Sequence, residues 1–459
     1  MTLHLHHPKN ILGMLTLICL GSHLLSCKKN APFSFIKPEI TVYGNDTRFQ
    51  ANTTHLSSDT VYVLGSSLVR DSGQDLAIDA GTLIKVNDGV AVIIRAGAAI
   101  HAKGTAAHPI IFTSSAAAGN GGIRADGNSN SDLHTWRGLQ IFGSTNPSSE
   151  GAGILNYVRI EFAGAAGYGG SPPPYYGSLL LSNISRNTTV DHIQVSYSLM
   201  NPAFELVGGD CDAHYLVSYA SSSSDFYLHG GYKGRLQNLL AYRHAFFPTS
   251  NTSFVGAVCG LYIEDDSTLP SISNLTVLGP DPAQISSQYN LTNNRAAFEF
   301  QATTGSKFHI RNSVLLGFPK TGWYLGDGRT AQGVADNSSD FRYSIIQSND
   351  SSRAFYLAPG SYNPYNSHSF RNYLLQPLFH NQLFIRIADF QLTDPFNYDA
   401  NPNPMPMPGS PVLTGANFEE TPFSDPFFNK VSYVGALGTD NWLKDWTNFM
   451  PLRTRYNTR

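Results

Sequence analysis

Seven carboxylates between Glu205 and Asp266 are the first residues whose type and spacing suggest chemistry. They are Glu205 in "FELVGGD", Asp210 and Asp212 in "GDCDAHY", Asp225, and Glu264, Asp265 and Asp266 in "YIEDD". If these segments are successive turns of a stacked repeat, matching positions lie about 4.8 Å apart. Carboxylates on neighbouring turns then share a cation, and Ca²⁺ takes six to eight oxygen ligands. Glu205, Asp225, Glu264 and Asp266 are the candidate metal set. The plainer reading is solvated loop acids, or acids capping corner amides. The same carboxylates, with Arg159, Lys233, Arg235 or Arg243 as basic partner, would also suit a Ca²⁺-assisted polysaccharide lyase. A glycoside hydrolase would need two carboxylates at a defined separation. The basic residues read equally well as surface charges guarding strand edges.

A second group is aromatic. "GYGGSPPPYYG" (167–177) is a long insertion carrying Tyr168, Tyr175 and Tyr176. Tyrosines offer large rigid contacts for a sugar at low entropic cost, and long loops on rigid scaffolds often carry function. The alternative is a Pro-Tyr flap over a sheet edge. His192, His214, His229 and His244 recur through the same region without H-E-x-x-H or tight His/Cys spacing, so zinc is disfavoured. Cys211 and Cys259 read either as a disulfide or as two buried thiols. Trp442 and Trp446, four apart in "TDNWLKDWTNFMP", read as one face of a helical turn in a C-terminal cap.

The elements that position these residues are short strands. "LAIDAGTLIK" (76–85) and "VIIRAGAAIH" (92–101) align at an offset of 16: Leu76 with Val92, Ile78 with Ile94, Ala80-Gly81 with Ala96-Gly97. Apolar residues alternate within each unit, which is the strand signal, and glycine supplies the turn. Later strands follow at wider steps, from Tyr157, Ile193, Tyr215, Leu236, Ile272, Ile310 and Phe341. Steps of this size indicate a solenoid or a propeller. No four-strand blade signature is present. The expectation is therefore an all-β right-handed parallel β-helix with long loop insertions and terminal caps. Residues 28–70 are expected to form a tether and N-terminal cap, 71–360 the helix, and 361–459 the last coils and a capping segment.

Charged residues make up 14% of the chain and the net charge is −3, so neither nucleic acid nor an anionic surface is implied as a partner. Residues 1–27 read as a targeting segment: Lys9, then the apolar run "ILGMLTLICLGSHLL" (11–25), then "LLSC". Ser26 before Cys27 resembles the lipobox of bacterial lipoproteins, in which the cysteine is acylated and becomes the mature N-terminus. On that resemblance Cys27 is the lipidation site and the membrane is a partner through the lipid anchor. The expected location is the outer membrane or cell surface.

Long stretches, from "AGTLIKV" and "WRGLQIFG" through "ILNYVRIEFAG" and "FELVGGDCDAHYLVSYASSSSDFYLHGGY" to "FFNKVSYVGALGTDNWLKDWTNFMP", resemble secreted or lipid-anchored bacterial right-handed parallel β-helix repeat proteins. The likeness runs from about residue 76 to 451 and implies the same fold. Members tend to be acid-rich where this chain reads "SSSSDFYLHGGY" (221–232). Asp225 is kept, whereas Tyr227 and His229 stand where acids are common. With no catalytic constellation legible, the sequence favours a non-catalytic binding or scaffold module for carbohydrate or an envelope partner. A Ca²⁺-assisted lyase or hydrolase and a purely structural envelope component are the alternatives.

Overall fold

A left-handed glycine recurs every eight residues near the start of the fold: Gly73, Gly81, Gly89 and Gly97 have φ between 69° and 81°. Each ends one short side of a triangular coil. Three sides of eight residues make a coil of about two dozen, as in Leu76 pairing with Ile100 one coil later. The 16-residue offset in the sequence therefore aligned two different sides, since Leu76 and Val92 lie on separate faces, with Ile84 on the third.

The computed structural model describes residues 37–116, 136–144, 151–165, 176–244, 258–280, 298–318, 321–360, 365–397, 401–454 and 456. The chain winds as a right-handed parallel β-helix. Face 1 is a ten-stranded parallel sheet from Leu68–Arg70 to Phe355–Leu357. Face 2 runs from Thr53–Leu56 to Asp340–Arg342, and face 3 from Glu39–Val42 to Gln382–Phe384. The coils thus begin at Glu39, ahead of the expected boundary at 71. The strands at 39–42, 53–56 and 61–64 pair in parallel with the coil above, although their turns lack the Ala-Gly signature. Arg70 closes this end from inside, donating to the carbonyls of Phe49, Ala51 and Asn52.

From Gly153–Glu161 to Ser271–Leu278, faces 2 and 3 fuse into single long strands, and in the next two coils they are separate short strands again. The corner between the two faces carries one left-handed residue per coil, within the long strands at Tyr157, His192, Tyr215, Asn238 and Asn274 and between the short strands at Asn312 and Tyr343, with φ of 49–60°. The flanking registers stack these into one column. Asparagine tolerates this conformation better than most residues. The aromatic members are held by ring stacking, at 4.3 Å for Tyr157–His192 and 4.4 Å for His192–Tyr215.

Inward residues of all three faces, such as Ile78, Ile94, Phe112, Leu181, Phe226, Leu261 and Trp323, form one continuous apolar core. Burying such a side chain contributes about 1.5–3 kcal/mol. Among the described residues there are two α-helices, α1 (Gly328–Ala335) and α2 (Ser367–Leu374). α2 has an Asn366 capping box and buries Phe370 and Leu374 against the upper end of the core.

Residues 411–456 do not cap the end. They run back as a strap along the outer corner of faces 2 and 3. Asn417 meets Asn312, Asn429 meets Gln237, Ala436 meets Asn238, and Asn448 meets Gln194. Tyr456 ends beside Glu161. A second apolar cluster lies beneath, with Tyr197, Val217, Tyr219, Leu240 and Leu278 against Val434, Leu443, Trp446 and Phe449. Trp442 and Trp446 do share one turn, through Trp446 Nε1 donating to the Trp442 carbonyl at 2.6 Å. That turn packs against the corner column and belongs to no α-helix.

Candidate functional site on face 1

Strand alternation on face 1 puts Leu179, Phe204, Phe226, Leu261, Phe300 and Trp323 in the core and their neighbours outside. The outer row, one residue per coil, reads Gln140, Leu180, Glu205, Tyr227, Tyr262, Gln301, Tyr324, Tyr356. Beside it, two residues along each strand, lie Phe142, Ser182, Val207 and His229. Glu264 follows Ile263, the register partner of Leu228. From Gln140 to Tyr356 neither row contains a lysine or an arginine; one coil below Phe142 the second row continues to Arg95, which pairs with Asp71 at 2.6 Å.

Two hydrogen-bonded pairs sit at the centre. Glu205 Oε2 accepts from the Gly177 amide at 2.6 Å, and its Oε1 is 3.0 Å from His229 Nε2. Tyr227 donates its phenol to Glu264 Oε2 at 2.5 Å. The Tyr227 ring stacks on both His229 (4.0 Å) and Tyr262 (4.9 Å). Burial, then the Glu264 carboxylate, push the Tyr227 phenol far above its ordinary value, so it stays a donor at neutral pH. Above them Phe298 stacks on Tyr324 (4.5 Å) and Tyr324 on Tyr356 (5.8 Å). Tyr227 and Tyr262 are buried, whereas Tyr324 and Tyr356 are half-exposed. Tyr176 adjoins the lower end, packing edge-on against Phe142 at 5.9 Å. Tyr168, Tyr175 and Cys27 lie outside the described residues.

The four expected metal ligands do not come together. Glu205 and Glu264 are on face 1. Asp266 is an exposed turn residue 3.4 Å from Arg329. Asp225 is fully buried at the corner leading into face 1, where it accepts from Ser218 Oγ (2.6 Å) and pairs with Arg243 Nη2 (3.0 Å). Burial pushes its carboxyl up to about 6, against the opposing pull of Arg243. Among the described residues no group of three His, Cys, Asp or Glu side chains is arranged to hold a metal ion. The remaining acids of the cluster have local partners: Asp210 with Arg186, Asp212 with Arg235, and Asp265 with Ser267, Thr268 and the Gly230 amide.

The basic candidates also lie off face 1. Arg159 reaches the strap at the Trp446 carbonyl, Arg235 bridges Asp212 and strap Asp425, and Arg243 braces the buried serine corner through the Ser221 and Cys259 carbonyls. Lys233 sits in a turn between faces. His192 belongs to the corner column, His214 contacts the Phe427 carbonyl of the strap at 3.1 Å, and His244 packs edge-on to Tyr219. Cys211 and Cys259 are buried and are not joined in a disulfide. Sequence reasoning singled out Glu205 and Glu264 but missed that Glu205, Tyr227, Tyr262, Gln301, Tyr324 and Tyr356 form one row, with His229 beside it. Aligning each segment on its inward residues would have exposed them, one position after Phe204, Phe226, Leu261, Phe300, Trp323 and Phe355.

Residues 48–354 match the sequence profile of the pectate-lyase-like β-helix domain. The chain belongs to that family. The match covers the N-terminal closure and nearly all the coils that build face 1, and leaves out α2 and the strap. No curated protein and no solved structure matches the chain. A pectate-lyase-like β-helix gives face 1 a carbohydrate-related context, while its chemistry must be argued from its own residues.

Proposed function

We propose that this protein binds carbohydrate along the outer rows of face 1 without turning it over, and that acylation at Cys27 anchors it to the cell envelope. The observation that carries the first part is the run of hydrogen-bonding side chains in register on one rigid sheet: Gln140, Glu205, Tyr227, Tyr262, Gln301, Tyr324 and Tyr356, interrupted only by Leu180 between the first two. A sugar chain offers hydroxyls at regular intervals, and a rigid row of acceptors and donors meets them with little ordering cost. The anchor rests on the "LLSC" sequence.

A second reading has specific support in the Glu205–His229 and Tyr227–Glu264 pairs, which are the group types that acid–base cleavage of a glycan uses. One experiment separates the two. Purified protein is incubated with a panel of polysaccharides, following binding by affinity electrophoresis and cleavage by new reducing ends and by the ultraviolet absorbance of unsaturated products. Retardation without cleavage is expected. Cleavage abolished by Glu264→Gln or Glu205→Gln would replace the binding module with an enzyme. For the anchor, metabolic labelling with a fatty acid is expected to mark the protein and to spare the Cys27→Ser variant.

A further inference from the structure

We infer that face 1 takes an uncharged, hydroxyl-rich glycan and disfavours polyuronates, an inference that rests on the binding function proposed above. Three observations carry it. The first is charge. From Gln140 to Tyr356 the two outer rows contain Glu205 and Glu264 and no lysine or arginine; Arg95, one coil below Phe142, is paired with Asp71, Arg159 and Arg235 are committed to the strap, and Arg243 to Asp225. A uronate chain would lay one carboxylate per sugar beside these two acids, with no cation on that stretch of the rows to meet them. Like charges at this range repel, the more so where water is excluded.

The second is unmet hydrogen-bonding capacity of neutral type. Gln140 is 2% exposed and Gln301 9% exposed, and among the described residues neither Gln140 Nε2 nor Gln301 Oε1 has a partner. Buried amide groups in folded proteins are nearly always paired, so an orphan donor and an orphan acceptor in one outward row mark where a ligand's polar groups belong. No described residue bonds the phenol oxygens of Tyr324 or Tyr356, which stand in the same row above Gln301. Hydroxyls serve amides and phenols in either sense, donating to Gln301 Oε1 and accepting from Gln140 Nε2.

The third is spacing. The row rises about 4.8 Å per coil, close to the length of one pyranose unit. A chain lying along the helix axis therefore presents one sugar to each coil. The edges of the half-exposed, stacked Tyr324 and Tyr356 rings supply an apolar rim for the C–H faces of those sugars.

The test is calorimetric titration of the full chain with neutral oligosaccharides (cello-, xylo- and manno-hexaose) and with hexagalacturonate, each at low and raised salt, with and without Ca²⁺. At least one neutral hexaose is expected to bind with an affinity that salt changes little. Hexagalacturonate is expected to bind at least about tenfold more weakly. Gln301→Leu and Tyr356→Phe are each expected to weaken the neutral ligand several-fold, with circular dichroism unchanged. Tyr356 is half-exposed, so its variant keeps the test open if Gln301→Leu fails to fold. Tighter binding of hexagalacturonate than of every neutral chain would overturn the inference while leaving carbohydrate binding in place. Unaltered affinity in both variants would move the ligand off this row and overturn it too. Failure to bind any glycan would overturn the proposed function itself.

Discussion

Replacing Asp225 separates a structural carboxylate from a cation ligand. Asp225 and Arg243 are both buried, paired at 3.0 Å, with the guanidinium also donating to the Ser221 carbonyl at 2.7 Å and the Cys259 carbonyl at 3.0 Å. Asp225→Ala leaves an arginine that cannot lose its proton in the protein interior, and removing one partner of a buried pair costs about 3–5 kcal/mol. Arg243→Met leaves a carboxylate that can take up a proton. Its folded value is already raised from 3.8 to about 6 with the arginine present. A raised carboxyl favours the folded state fully below its unfolded value, and that contribution is lost as pH rises through the folded value. Arg243→Met is therefore expected to cost less near pH 5 than near pH 8, whereas Asp225→Ala removes the titrating group, so its cost relative to the parent is expected to shrink over the same range. The double variant Asp225→Asn/Arg243→Met, with no charge left, is expected to be more stable than Asp225→Ala. Urea denaturation followed by circular dichroism at both pH values, with and without Ca²⁺, reads all three. An unchanged midpoint for Asp225→Ala, together with loss of a Ca²⁺-induced rise seen in the parent protein, would refute the structural role and restore Asp225 as a ligand.

Three further outcomes follow from the geometry. Trp446→Ala removes a ring packed edge-on to Tyr157 and His192, a loss of about 3 kcal/mol, so hydrogen exchange in residues 440–456 should speed up roughly a hundredfold while the coils keep their protection. Gly153→Ala would set a Cβ 2.0 Å from the Ile100 carbonyl oxygen at φ 114° and is expected to abolish soluble folded protein; Gly73→Ala, with nothing within 4 Å, should lower the denaturation midpoint only slightly, by about 1 kcal/mol of strain, and equal stability of the two would refute the argument. Cys211 and Cys259 are buried, with thiols pushed well up by desolvation, so a thiol reagent should label neither until denaturant is added; prompt labelling in the native state would contradict the packing.

The coils were legible because their determinants are local. Alternating residues such as Leu76, Ile78, Val92 and Ile94, with a glycine closing each side, specify a strand and a turn without reference to anything distant. The steps from Leu236 to Ile272 and from Ile272 to Ile310, read as coils with long loops, are register partners in the structure. Two things were not legible, for one physical reason. The strap is bound by contacts such as Asn417 to Asn312 and Asn448 to Gln194, which join residues with no periodic relation in sequence. The acidic cluster misled in the same way, because proximity in sequence says nothing about which side of a strand a carboxylate leaves from. Asp225 precedes inward Phe226 at a corner and turns into the protein, where Arg243 meets it, while Glu205 follows inward Phe204 and turns out.

That difference of one position has a consequence for how such a fold can acquire a site. A coil can lengthen by inserting residues between faces, as the 38-residue step from Ile272 to Ile310 shows, without moving any strand out of register. The outer row of face 1 thus stays aligned whatever the loops do, and any side chain placed one residue after an inward aromatic joins it automatically. Conversely, a carboxylate at a corner is committed to the corner's own hydrogen bonds, as Asp225 is to Ser218 and Arg243. On this architecture ligand recognition is written in the outward strand positions. An acid at a turn, however suggestive its neighbours in sequence, is first to be read as the partner of a buried amide, hydroxyl or arginine.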